Sequence, residues 1–139
     1  MTPRQTRAMK LSELEGWCEE EKGSLYRKET HASSDIRAGR PTAHKWSRST
    51  KDSLFARYSG YAKLMNMVEG INKNAGLDDY FIFIYHNMAA VSVLRAGSDK
   101  QTYGTVYGQH GYRLIDALQE CLIFYLTKKA NETERKESN

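Results

Sequence analysis

The chain has almost nothing that would staple or stiffen it covalently. Its two cysteines, Cys18 and Cys121, lie far apart, and Cys121 falls within an apolar helical stripe. Free thiols in a reducing compartment are the expectation from that usage, rather than a disulfide framework. Prolines are as scarce, two in all, and 40% hydrophobic with 27% charged residues is the composition of a globular chain. No apolar stretch approaches the length that spans a bilayer, and no apolar run follows a basic start, which points to a cytoplasmic protein with no membrane partner. Metal-ligand spacing is missing: Cys18 is followed by His31 without a second pair, and Cys121 has no neighbouring ligand. Neither a glycine-rich phosphate loop nor a serine nucleophile elbow occurs, so neither metal nor cofactor is expected.

What the chain does have is concentrated between Tyr80 and Lys129. The run YFIFIY (Tyr80 to Tyr85) is aromatic and β-branched throughout, which suits a pleated, half-buried surface. After His86-Asn87, the segment from Met88 to Arg95 alternates, with Ala89, Val91 and Val93 on one face and Met88, Ala90, Ser92 and Leu94 on the other. Gly97-Ser98-Asp99 supplies a second turn, and QTYGTVY (Gln101 to Tyr107) reads as a third, weaker strand interrupted by Gly104. A helix from about Tyr112 to Lys129 follows, with Leu114, Ile115, Leu118, Leu122, Tyr125 and Leu126 at helical spacing. Ile123 and Phe124 lie off that stripe, and Ala117 and Cys121 widen it, so the helix needs either a second helix behind it or a homodimer seam.

Upstream, Ser12 and Glu15 have the spacing of a capping box and Gly23 that of a stop, predicting a short amphipathic helix over 11–23. Residues 24–49 have little apolar content and read as an extended basic linker. A second cap, Ser49 to Asp52, introduces a long helix from about Lys51 to Asn74. The fold class expected is therefore α+β: a three-stranded antiparallel meander packed between two long helices (α-β-β-β-α), preceded by the short helix and basic linker. In domain terms this is an N-terminal arm over 1–49, a compact domain over 50–129 and a charged, disordered tail over 130–139.

The formal net charge of +4 is unevenly spread. Residues 11–23 are acidic, whereas residues 24–51 carry seven cations against Glu29 and Asp35. Cations concentrated beside an aromatic ring are the composition that meets phosphates and stacks on bases, and Trp46 sits between Lys45 and Arg48 with His44 alongside. Candidate nucleic-acid contacts are Arg27, Lys28, Arg37, Arg40, Lys45, Trp46, Arg48, Lys51, Arg57 and Lys63, the partner being RNA or DNA. Gly39-Arg40-Pro41 resembles the core of minor-groove-binding AT-hook peptides, with Ala38 where an arginine precedes the glycine in that motif. The order helix, three strands, helix over about 50–129 is similar to that of the double-stranded-RNA-binding domain. That family opens its last helix with a lysine cluster, and the corresponding place here reads Gly111-Tyr112-Arg113-Leu114.

Two other functions compete with a non-enzymatic nucleic-acid binder. One is a protein-binding accessory or inhibitor of the phage or mobile-element type, acting by occlusion through Trp17, Ile123 and Phe124. The other is a small nuclease. His86 and His110 would be brought near one end of the meander with Asn87, Gln109 and Arg113, supplying a general base, a general acid and a charge stabiliser for phosphodiester cleavage. At the other end, Asp78 and Asp79 approach Asp99 and Lys100, a cluster that could hold a divalent metal in a nuclease and that turn formation explains more simply.

Overall fold

The computed structural model describes residues 1–20, 25–31, 44–96 and 101–138. Helix α1 (Pro3–Leu14) opens with a capping box in which the Thr2 hydroxyl accepts from the Gln5 N–H (3.1 Å) and the Gln5 side chain accepts from the Thr2 N–H (3.0 Å). Pro3, whose missing N–H costs nothing in a first turn, starts the helix. It stops at Gly16, which takes a φ of +102° that a side chain would resist. The helix expected over 11–23 thus lies earlier in the chain. Ser12, the anticipated cap, is buried inside it and donates its hydroxyl to the Met9 carbonyl at 2.7 Å.

Strands β1 (Cys18–Glu19), β2 (Leu25–His31) and β3 (His44–Thr50) form an antiparallel sheet in that order. The segment expected as a linker over 24–49 is therefore strand at both ends, with Leu25 opposite Thr50 and His31 opposite His44. Its one apolar anchor among the described side chains is Tyr26, 6% exposed, and a single buried position makes too little alternation to mark a strand. Thr50 then caps helix α2 (Lys51–Tyr58), and Ser59-Gly60 separates it from helix α3 (Tyr61–Asn74). The single helix expected over these residues is two, because Gly60 begins α3 in an extended conformation (φ −90°, ψ 139°).

The meander forms as anticipated from β4 (Tyr80–Tyr85), β5 (Met88–Ala96) and β6 (Gln101–His110). Val91 faces Tyr107 and Ser92 faces Thr105, so Val106 is an extra residue bulging from β6. His86 turns the first hairpin with φ 56°, a left-handed value that histidine adopts more readily than most non-glycine residues. Helix α4 (Leu114–Ser138) follows Gly111, where a Cβ would come within 3.0 Å of the Arg113 carbonyl and 3.1 Å of the Ala117 nitrogen. The tail expected to be disordered continues this helix. Lys129 and Glu132 pair at 3.7 Å one turn apart, and Thr133 donates to the Lys129 carbonyl at 3.1 Å.

The fold is α+β, with four helices and two three-stranded antiparallel sheets among the described residues. Its core lies where α4 sets Ala117, Leu118, Cys121 and Leu122 among Ala89 and Val91 of β5 and Ala8, Met9 and Leu11 of α1. Burying a leucine of this kind contributes about 2 kcal/mol, so Leu118 and Leu122 alone outweigh the charge pairs on the surface. The wide apolar girth of α4 is taken up by the meander on one side and α1 on another. Burial pushes the Cys121 thiol up to about 12, with a backbone hydrogen bond to Gln109 opposing it, and leaves it protonated and inert.

Polar groups lock this packing. Arg4 grips Asp116 through two hydrogen bonds (3.0 and 2.9 Å), and Arg7 adds a third at 2.5 Å. The Arg7 guanidinium also donates to the fully buried Gln119 (2.9 Å), whose amide donates to the carbonyls of Tyr58 (2.8 Å) and Arg4 (3.3 Å). Gln119 thereby ties α1, α2 and α4 together. At the edge of the meander, the Asn72 side chain donates to the Ile82 carbonyl (3.0 Å) and accepts from its N–H (2.8 Å), so α3 occupies part of the β4 edge. The meander lies between α3 at this edge and α4 across one face. On its other face Phe83, Tyr85 and Tyr103 are exposed.

Candidate nucleic-acid interface

The basic segment becomes a two-stranded ribbon whose register decides which cations meet. Arg27 stands directly opposite Arg48, Lys28 opposite Ser47, and Lys45 opposite Thr30. The backbone of β3 is described at Lys45 and Trp46 and their side chains are not; Arg37 and Arg40 lie outside the described residues, as do Gly39 and Pro41 of the AT-hook-like triplet. Like charges placed directly across a strand pair are destabilising, and the Glu20 carboxylate lies 3.5 Å from the Arg48 Nε. Arg48 remains 66% exposed.

The base of the ribbon is held by the core. Cys18 and Glu19 of β1 pair with Arg27 and Tyr26, and Tyr26 is buried. Beneath it lies a cluster around Trp17, which is itself 6% exposed. The indole donates to the Tyr58 hydroxyl (3.1 Å), Tyr58 donates to Glu15, and Lys63 pairs with Glu15 at 3.1 Å. Burial works to raise the Glu15 pKa, but the hydrogen bonds from Tyr58 and Lys63 and the charges of Lys63 and Lys28 outweigh it and hold the carboxyl below its ordinary range. Burial, together with Glu15, raises the Tyr58 hydroxyl.

This cluster sorts the remaining candidates. Arg57 lies over the Trp17 ring (5.6 Å) and Lys63 over the Tyr58 ring (5.3 Å), so both cations stand against the core cluster. Lys51, at the start of α2, lies over the ring of Phe55 (5.7 Å). Trp17, a candidate partner contact in the sequence, is spent inside the chain. Ile123 and Phe124 are half-buried; Phe124 stacks on Tyr107 (4.5 Å between ring centres), and both line a groove of about 720 Å³ beside α4.

The proposed histidine pair is brought to one end of the meander by register. His110 faces Met88, Met88 also faces Tyr85, and the Gly111 N–H donates to the Asn87 carbonyl at 3.2 Å. His86 rests edge-on against Tyr85 (4.3 Å). His86, His110 and Arg113 are all exposed, and among the described residues no hydrogen bond or ion pair joins them. Asp79 accepts the Gly76 N–H (3.0 Å), as a turn aspartate does, while Asp99 and Lys100 lie outside the described residues.

Sequence reasoning missed the open face of the meander. Phe83, Tyr85 and Tyr103 are 49%, 59% and 75% exposed there. YFIFIY is apolar at every position and reads as a half-buried strand, but nothing in it distinguishes the covered parity from the open one. Comparison with protein-family models, with curated protein sequences and with solved structures finds no match.

Proposed function

We propose that this protein binds nucleic acid without catalysing its cleavage, and that the ribbon formed by β2 and β3 is the element that meets the phosphates. The observation that carries the reading is the register: Arg27 and Arg48 side by side across the strands, with Lys28 adjoining and Lys45 further along. The planar guanidinium is suited to a phosphate because it offers parallel donors. Glu20 at 3.5 Å from Arg48 acts as a resident counter-anion that a phosphate would displace. A two-stranded ribbon is also narrow enough for the major groove of B-form DNA, whereas the deep groove of A-form RNA resists such insertion. Duplex DNA is therefore the ligand favoured for the ribbon.

The test is charge reversal with a control of equal charge. The double variant Arg27→Glu/Arg48→Glu should lose duplex binding in fluorescence anisotropy by at least about a hundredfold, on the scale of two lost phosphate contacts. The control Lys10→Glu/Lys73→Glu, which reverses two exposed charges on α1 and α3, should bind within about threefold of the parent if position rather than total charge matters. Equal losses in both variants, or none, would refute the ribbon. A second reading, occlusion of a protein partner, rests on the groove lined by Ile123 and Phe124; it expects Ile123→Ser to disrupt function while the ribbon variants leave it intact.

A further inference from the structure

We infer that the open face of the β4–β5–β6 meander is a stacking platform for unpaired bases of a single-stranded nucleic acid. The inference shares with the ribbon only the class of ligand, and each can fail without the other. Register lays out the face in rows: Tyr85, Met88 and His110; then Phe83, Ala90 and Gly108; then Phe81, Ser92 and Thr105; and last Leu94 beside Tyr103. The opposite parity, Tyr80, Ile82, Ala89, Val91 and Tyr107, belongs to the core under α4. Along the central strand of the open face the side chains are small. Ala90 and Ser92 are buried beneath their taller neighbours, and the rings of Phe81 and Tyr103 meet edge-on at 5.9 Å across the intervening strand. The result is a shallow trough with a low floor and aromatic walls.

Charge and size identify what fits it. None of the four rows contains Asp, Glu, Lys or Arg, so the face suits an uncharged, flat, polarisable group. At the Tyr85 end stand His86, His110 and Arg113, all exposed and with no carboxylate in that row. At the other end Asp78 donates its backbone N–H to the Leu94 carbonyl (2.8 Å), and Asp79 lies next to it in sequence. A ligand with neutral rings and a negative backbone would lay its bases on the aromatic face and its phosphates toward the imidazoles and Arg113, away from the aspartates. Successive rings on β4 lie roughly 7 Å apart, two residues of strand, a pitch that an extended single strand can follow. A second copy of the chain is the poorer occupant. Three strands and four rows cover on the order of 350 Å², well short of the roughly 800 Å² per partner of a stable interface.

The experiment uses the full chain and a fluorescent oligothymidylate of about twelve nucleotides, long enough for a site of this size. Tyr85→Ala and Tyr103→Ala should each weaken binding about tenfold, since each removes one stacking ring, while Tyr103→Phe should keep it. Circular dichroism of each variant reports whether the fold is retained, and the exposed positions of both rings make that the expected result. Arg48→Glu should change oligothymidylate affinity far less than it changes duplex affinity. Failure of the parent to bind oligothymidylate would overturn the platform, and so would ring variants that bind as tightly as the parent. A parent dimer that Tyr103→Ala converts to monomer, read by light scattering, would assign the face to a second copy and overturn it too. Duplex binding that survives any of these results leaves the ribbon standing.

Discussion

The two sheets have the same strand number and the same antiparallel order, and they are stabilised in different ways. The meander is supported along its length: Ile82, Ala89 and Val91 are buried under α4, and Asn72 holds the β4 edge. The first sheet is supported at its base, where Tyr26 and Trp17 are buried, while Arg27 and Arg48 further along are exposed. A strand pair that carries charge on both members receives little hydrophobic stabilisation there. The meander spends its apolar residues on cohesion and leaves one uncharged face over.

The sharpest way to break this contrast is to remove the anchor of the first sheet. Trp17→Ala deletes a large buried ring and the donor to Tyr58, and should cost about 3–5 kcal/mol in chemical denaturation, the range for a buried aromatic truncated to alanine. A loss below about 1 kcal/mol would mean that the ribbon is not fastened where the packing implies.

Acid provides a smaller and more selective perturbation. Hydrogen bonds from Arg4, opposed by burial and joined by the charges of Arg4 and Arg7, hold the Asp116 carboxyl below its usual value; Glu15 is lowered as well. Groups with folded pKa values below their unfolded ones stabilise the protein fully above the unfolded value, about 4 for carboxylates, and lose that contribution as pH falls through the folded value. Stability should therefore be flat from neutrality down to about pH 4 and decline below it. Both carboxylates fasten the first helix and the turn after it, so hydrogen exchange in mild acid should release amides of β1 and β2 before those of β5. Simultaneous release would mean that the two sheets form one cooperative unit.

The same contrast explains how far the fold could be read from the chain. The meander and its helix were legible because Tyr80 to Tyr85 is aromatic and β-branched throughout, Met88 to Arg95 alternates, and Leu114 to Leu126 repeats at helical spacing. β2 and β3 were not, since Tyr26 is the one described side chain there that reaches the core. α1 was displaced because Ser12 and Glu15 match a cap pattern locally while Thr2 and Gln5 form the real one, and Arg4 and Arg7 gain Asp116 only through tertiary contact. The tail was misjudged for a related reason: Asn131 to Ser138 lacks an apolar face, yet it continues a helix already nucleated by packing upstream. Of the candidate site, the cations were visible and their pairing was not. Register alone makes Arg27 and Arg48 neighbours, and only tertiary packing sets Arg57 over Trp17 and Lys63 beside Glu15.

The central claim is that a ribbon of clustered cations meets phosphates, and the salt dependence of duplex binding tests it most directly. If Arg27, Lys28, Lys45 and Arg48 each neutralise one phosphate, the logarithm of affinity should fall against the logarithm of salt concentration with a slope on the order of −3.6, and Arg27→Ser/Arg48→Ser should reduce that slope by about half. A slope near zero, or one that the double variant leaves unchanged, would contradict the account.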